Sequence, residues 1–164
     1  MYKKSSGFSK PAELSESELR VAAINLLSRR EYSSHELYQK LVSRTSNKIL
    51  LLQLLDQLIE SGYQSDQRFM ESYLRSRINR GLGWVRIERE LKEKGIDQDL
   101  IEQSVQKDID WFELAYDCGL RKFHSLDLSN YKEKQKAFRY LAYRGFSMDQ
   151  IHFAIEHYLE VQKT

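Results

Sequence analysis

Leu41, Leu91 and Leu141 stand 50 residues apart, and their surroundings repeat in the same register. Leu37, Ile87 and Ala137 lie four positions earlier, and Arg44, Lys94 and Arg144 three positions later. Thr45, Gly95 and Gly145 follow, then Leu51, Ile101 and Ile151, then Leu55, Val105 and Ile155. Apolar residues four apart share one helix face, and a fixed period of this length marks stacked supersecondary units. Each segment predicts two helices joined at the Gly or Thr position, where a left-handed C-cap is expected. Glycine enters that conformation without steric cost, so Thr45 predicts a different or strained turn in the first repeat.

Another helix precedes each pair. The first carries Leu19, Ala23, Leu26 and Leu27, the second Phe69, Tyr73, Leu74 and Ile78, and the third Trp111, Phe112, Ala115 and Leu120. The third repeat has a longer connection, from Phe123 to Asn130. Capping-box spacings occur at Ser15–Glu18, Ser33–Glu36 and Ser147–Gln150, and Asp66, Asp97 and Ser129 also sit where N-caps are expected. No segment alternates with a period of two, and the one proline, Pro11, leaves the rest of the chain free for helix. The expected fold is all-α: three tandem three-helix repeats, about nine helices, at 14–64, 65–107 and 108–164, behind a disordered basic tail at 1–13. Small units gain stability by stacking, which predicts an elongated, curved array.

Chemistry is sparse. The single cysteine, Cys118, excludes an internal disulfide and a cysteine-based zinc site, and it reads as a packed thiol between Tyr116 and Leu120. His152 and His157 are five apart, off one helix face, and no metal site is expected. The glycines of Arg80-Gly-Leu-Gly-Trp84 lack the spacing of a phosphate loop and read as a helix end followed by a turn. No catalytic constellation or cofactor motif is visible, so the chain is expected to be non-enzymatic. Its first residues lack an apolar h-region, so no leader is expected, and its most apolar run, Ile49 to Ile59, is too short and polar for a bilayer; a cytoplasmic, monomeric protein is expected.

With 26 basic and 24 acidic side chains, bulk charge does not mark a nucleic-acid binder. The second repeat differs locally. From Arg75 to Lys94 there are seven basic and three acidic residues. Arg75, Arg77, Arg80, Arg86, Arg89 and Lys92, with Trp84 among them, form the candidate partner- or DNA-binding set. Arginine makes two-point contacts to carboxylate or phosphate, and Trp and Arg are frequent interface anchors. The alternatives are structural: an i,i+4 pair between Glu90 and Lys94, and Trp84 half-buried between units.

The stretch Ser61-Gly-Tyr-Gln-Ser-Asp-Gln-Arg-Phe69 resembles the RecX family, as do Arg75-Ser-Arg77, Arg80-Gly-Leu-Gly83 and Ile87-Glu-Arg-Glu-Leu-Lys-Glu-Lys-Gly95. Leu26-Leu-Ser-Arg-Arg-Glu31 and Tyr143-Arg-Gly-Phe146 extend the resemblance, which runs from about Glu18 to Leu159. It implies three-helix repeats and a non-enzymatic regulator of the RecA recombinase. Such a protein lies in the groove of the RecA–DNA filament and limits ATP hydrolysis, strand exchange and co-protease activity, with DNA contact also implied. Two departures stand out: Trp84 where the family commonly has proline, and Thr45 in place of glycine.

On this reading the arginines pair with acidic groove residues or DNA phosphates, Trp84 is an anchor, and charge reversal at Arg77 and Arg80 weakens binding without unfolding. The alternative is a direct DNA-binding helix-turn-helix regulator. It conflicts with Asp97, Gln98 and Asp99, which put acid at the end of the helix that reads bases.

Overall fold

The computed structural model describes residues 13–104, 109–124 and 126–162. Residues 1–12 of the expected basic tail and Val105 lie outside the described residues. Among those described there are nine α-helices and no strand. They are α1 (Glu16–Leu27), α2 (Ser34–Leu41), α3 (Lys48–Glu60), α4 (Asp66–Asn79), α5 (Trp84–Glu93), α6 (Gln98–Gln103), α7 (Trp111–Phe123), α8 (Tyr131–Arg144) and α9 (Met148–Gln162). None is long and apolar enough to cross a membrane. The chain is all-α and built from tandem three-helix repeats. It divides into two compact units, Met1–Phe69 and Met70–Thr164.

The repeat register is the register of burial. Leu37, Leu41, Leu51, Ile87, Leu91, Ile101, Ala137, Leu141 and Ile151 are all at most 3% exposed. Within the first unit α1, α2 and α3 close around Leu19, Ala23, Leu54 and Leu58. Ser15 forms a reciprocal capping box with Glu18, and Ser33 Oγ accepts from the Glu36 amide at 3.0 Å. The α3–α4 connection is tied inward. Asp66 Oδ1 accepts from the Ser34 amide and from Gln64 Nε2, both at 2.8 Å. Arg68 holds Glu31 at 2.9 Å and donates to the Gly62 and Tyr63 carbonyls. The stretch from Ser61 to Phe69 is therefore a structural fastening. Asp66 is not an N-cap, since Ser65 Oγ accepts from the Arg68 amide at the start of α4.

Thr45 makes its turn different but not strained. It is extended, at φ −148° and ψ 145°, after a short 3-10 turn at Val42–Arg44. The corresponding Gly95 and Gly145 are left-handed, at φ 75° and 92°. Each is followed by a buried apolar residue, Ile96 or Phe146, whose amide reaches back to Leu91 or Leu141. This is the Schellman closure, which uses an apolar residue after the glycine. The first repeat has Ser46 at that place, so neither half of the motif is available.

In the second unit the core of α7, α8 and α9 gathers Ala115, Cys118, Phe123, Leu128, Ile155 and Tyr158. Two expectations for α7 are corrected: Phe112 and Leu120 are 43% and 37% exposed. Their places are taken by Phe123 and by Leu128 from the long connection, both fully buried, and Tyr158 Oη donates to the Phe123 carbonyl at 2.7 Å. The α8 cap is Asn130, one residue beyond the expected Ser129.

Candidate functional site

The basic segment of the second repeat runs along α4, the glycine turn and α5. Gly81, at φ 70°, ends α4 with bonds from the Gly81 amide to Ile78 and from the Leu82 amide to Arg77. Gly83 is the N-cap of α5 and supplies no side-chain cap. Two amides at the start of α5 instead find carbonyls at the end of α8. Gly83 N–H donates to Arg144 at 2.9 Å, and Val85 N–H to Gly145 at 3.1 Å. Trp84 starts the helix half-buried, its ring 5.9 Å from that of Trp111. The position of the family's usual proline thus holds a packed indole with its own partner.

The candidate arginines separate into two groups. Arg77 and Arg86 turn inward on Glu90, at 2.7 Å to Oε2 and 2.9 Å to Oε1. Tyr73 Oη donates to Glu90 Oε2 at 2.8 Å and accepts from Arg77 Nη2 at 2.7 Å. Arg77 lies over the Tyr73 ring at 4.1 Å, and Arg86 reaches the Tyr143 carbonyl at 3.3 Å. Burial acts to raise the Glu90 carboxyl, but hydrogen bonds from Arg86, Arg77 and Tyr73 together outweigh it and hold it at about 2. Burial, then the Glu90 bond, pushes the Tyr73 hydroxyl up. Two guanidinium groups and a phenol thus occupy both oxygens of the Glu90 carboxylate.

The other group faces out. Arg75 and Arg80 are exposed and hold no ion pair among the described residues. Arg89 and Lys92 are 69% and 49% exposed, paired along the helix with Glu93 at 3.8 Å and Glu88 at 2.8 Å. Val85, Arg89 and Lys92 recur at the spacing of one helix face, opposite the buried Ile87 and Leu91. Such exposed pairs are weak and exchange readily for a partner's charges. Tyr143 and Arg144 lie outside the candidate set but touch it. Arg144 Nη1 donates to the Arg80 carbonyl at 2.7 Å, and the Tyr-Arg-Gly-Phe motif was the available signal.

The α5–turn–α6 unit carries the wrong charge for a reader of DNA. α6 has only six residues, and exposed Asp97, Gln98 and Asp99 stand at its start, Asp97 accepting from the Asp99 amide. Cys118 is buried, its thiol 3.5 Å from the Gly81 carbonyl.

Comparison with known proteins agrees with this architecture. The family model for RecX, second three-helix domain, matches residues 65–105, and that for RecX, third three-helix domain, matches residues 108–155. The chain is 44% identical over 144 residues to the regulatory protein RecX of Acinetobacter baylyi, covering 88% of this chain and 90% of that protein. It is 43% identical over 131 residues to the regulatory protein RecX of Legionella pneumophila, covering 79% and 87%. The crystal structure of RecX from Lactobacillus salivarius superposes with a TM-score of 0.75 at 25% identity, covering 87% of this chain and 95% of that one. A fold whose buried positions follow the 50-residue register, matched over most of its length by relatives of one name, places the chain in the RecX family of regulatory proteins.

Proposed function

We propose that this protein is a non-enzymatic modulator, mainly an inhibitor, of the RecA recombinase. It binds in the groove of the RecA–DNA filament and limits ATP hydrolysis, strand exchange and co-protease activity. The observation that carries this reading is the near full-length similarity to proteins named regulatory protein RecX. The outward face of the second repeat supports it. Arg75, Arg80, Arg89 and Lys92 offer charge to acidic groove residues or DNA phosphates, with Trp84 as the anchor beside them. Arg77 and Arg86 contribute by holding α4, α5 and the end of α8 in place. Several modest contacts along a repeating filament reinforce one another, so no single contact needs to be strong.

The test is titration into RecA filaments assembled on single-stranded DNA, following ATP hydrolysis, with binding to bare DNA measured at the same salt. Suppression at concentrations too low to coat bare DNA is expected. Suppression only where bare DNA is saturated favours a direct DNA binder instead, with the strong salt dependence of phosphate contacts. No effect at any concentration overturns the proposal.

A further inference from the structure

A cleft of about 250 Å³ opens in the second unit between the end of α4, the middle of α7 and the end of α8. Arg80, Arg121 and Arg144 line it, with Asp117, Cys118 and Tyr140. Three arginines and one aspartate thus share its lining. None of the three holds an ion pair among the described residues, although Asp117 and Arg121 are spaced i,i+4 on α7. Arg144 is fixed in advance: Nη1 is bound to the Arg80 carbonyl at 2.7 Å, and its guanidinium lies 5.2 Å from the Tyr140 ring centroid. A set of forked donors that line one cleft without ion pairs, one of them held in place, suits a small anion with more than two oxygens. The volume lies below the roughly 300 Å³ at which sites for drug-sized ligands begin, so a single oxyanion group fits better than a whole nucleotide.

We propose that this cleft is a phosphate-binding site, gripping one phosphate between Arg80, Arg121 and Arg144. The phosphate belongs either to a nucleic-acid strand or to a free ion. The site does not depend on the filament reading, although Arg80 belongs to both surfaces.

The test uses the full chain, labelled with nitrogen-15 and titrated at constant ionic strength in two arms. One arm adds inorganic phosphate and the other the dinucleotide d(TpT), whose only anion is a phosphodiester. Saturable amide shifts at Gly81, Cys118 and Tyr140 are expected. R121E weakens binding at least about tenfold, the scale of one lost charge-assisted hydrogen bond. R139E, an equal charge change on an exposed residue of α8 outside the cleft, shifts affinity less than about twofold, as screened surface charge does. Saturation by d(TpT) alone assigns the site to a strand, and saturation by phosphate alone assigns it to the free ion. Should R121E lose its fold, R121Q against R139Q carries the same comparison. Non-saturating shifts in both arms, or equal losses in R121E and R139E, overturn the proposal.

Discussion

Gly83 and Gly145 meet backbone to backbone where the second repeat joins the third. The Gly83 amide donates to the Arg144 carbonyl, and the Gly145 carbonyl accepts from Val85. The carboxyl end of α8 thereby caps the amino end of α5, satisfying orphan groups of both helices and setting their dipoles head to tail. A Cβ on Gly83 would collide with the Gly145 carbonyl, and one on Gly145 with Arg86.

Alanine at either glycine is expected to destabilise the protein by about 2–3 kcal/mol, the range for overpacking with backbone displacement. Gly62 provides the contrast. Like Gly145 it is left-handed, at φ 74°, but a Cβ there meets nothing within 4 Å. Gly62→Ala is expected to cost only the conformational penalty, about 1–2 kcal/mol. Urea denaturation of the three variants checks this. A Gly83→Ala midpoint no lower than the parent's would show that the close approach is dispensable.

Glu90 makes stability depend on pH with a definite sign. Its carboxyl titrates near 2 in the folded protein against an ordinary value of 4.5. The folded state therefore gains from ionised Glu90 above about pH 4.5, and that gain disappears as pH falls towards 2. By linkage it is on the order of 3 kcal/mol. Glu90→Gln should cost about that much at pH 7, leaving Arg77 and Arg86 without their counter-charge. The difference between parent and variant should narrow steadily from pH 5 to pH 2. A constant difference over that range would rule out the carboxylate as its source.

The two arginine groups predict separable defects. Arg75→Glu with Arg80→Glu is expected to weaken filament binding about tenfold or more while shifting stability by less than about 0.5 kcal/mol. The bond from Arg144 is to the Arg80 carbonyl, which the substitution leaves in place. Arg77→Glu is expected to destabilise by about 3 kcal/mol, since it sets a second carboxylate against Glu90. The expectation that reversal at Arg77 spares the fold is thereby revised. Melting temperatures beside filament-binding isotherms distinguish the groups.

Thr45→Gly restores the glycine of the other repeats, yet it should not stabilise the protein. Thr45 is extended, so glycine gains nothing in the folded state and adds freedom to the unfolded chain. A loss of about 0.5–1 kcal/mol is expected in the same denaturation experiment. A gain would mean that the first repeat can adopt the left-handed closure of the others.

The sequence by itself determined the helices and most of their caps and buried faces; the caps of α4 and α8 and the exposure of Phe112 and Leu120 are exceptions. Leu41, Leu91 and Leu141 are core residues because apolar spacing and burial follow one local geometry. The caps at Ser15, Ser33 and Asp97 were legible because each forms within three residues of the side chain that makes it. Only the tertiary structure decided which arginines are available. Arg75 and Arg77 look equivalent in the sequence, but Arg77 lies within reach of Glu90, 13 residues away, while Arg75 faces out. Arg144 meets Arg80 across 64 residues, and Gly83 meets Gly145 across 62. Such pairings depend on how one helix crosses another, which the periodicity of neither helix contains.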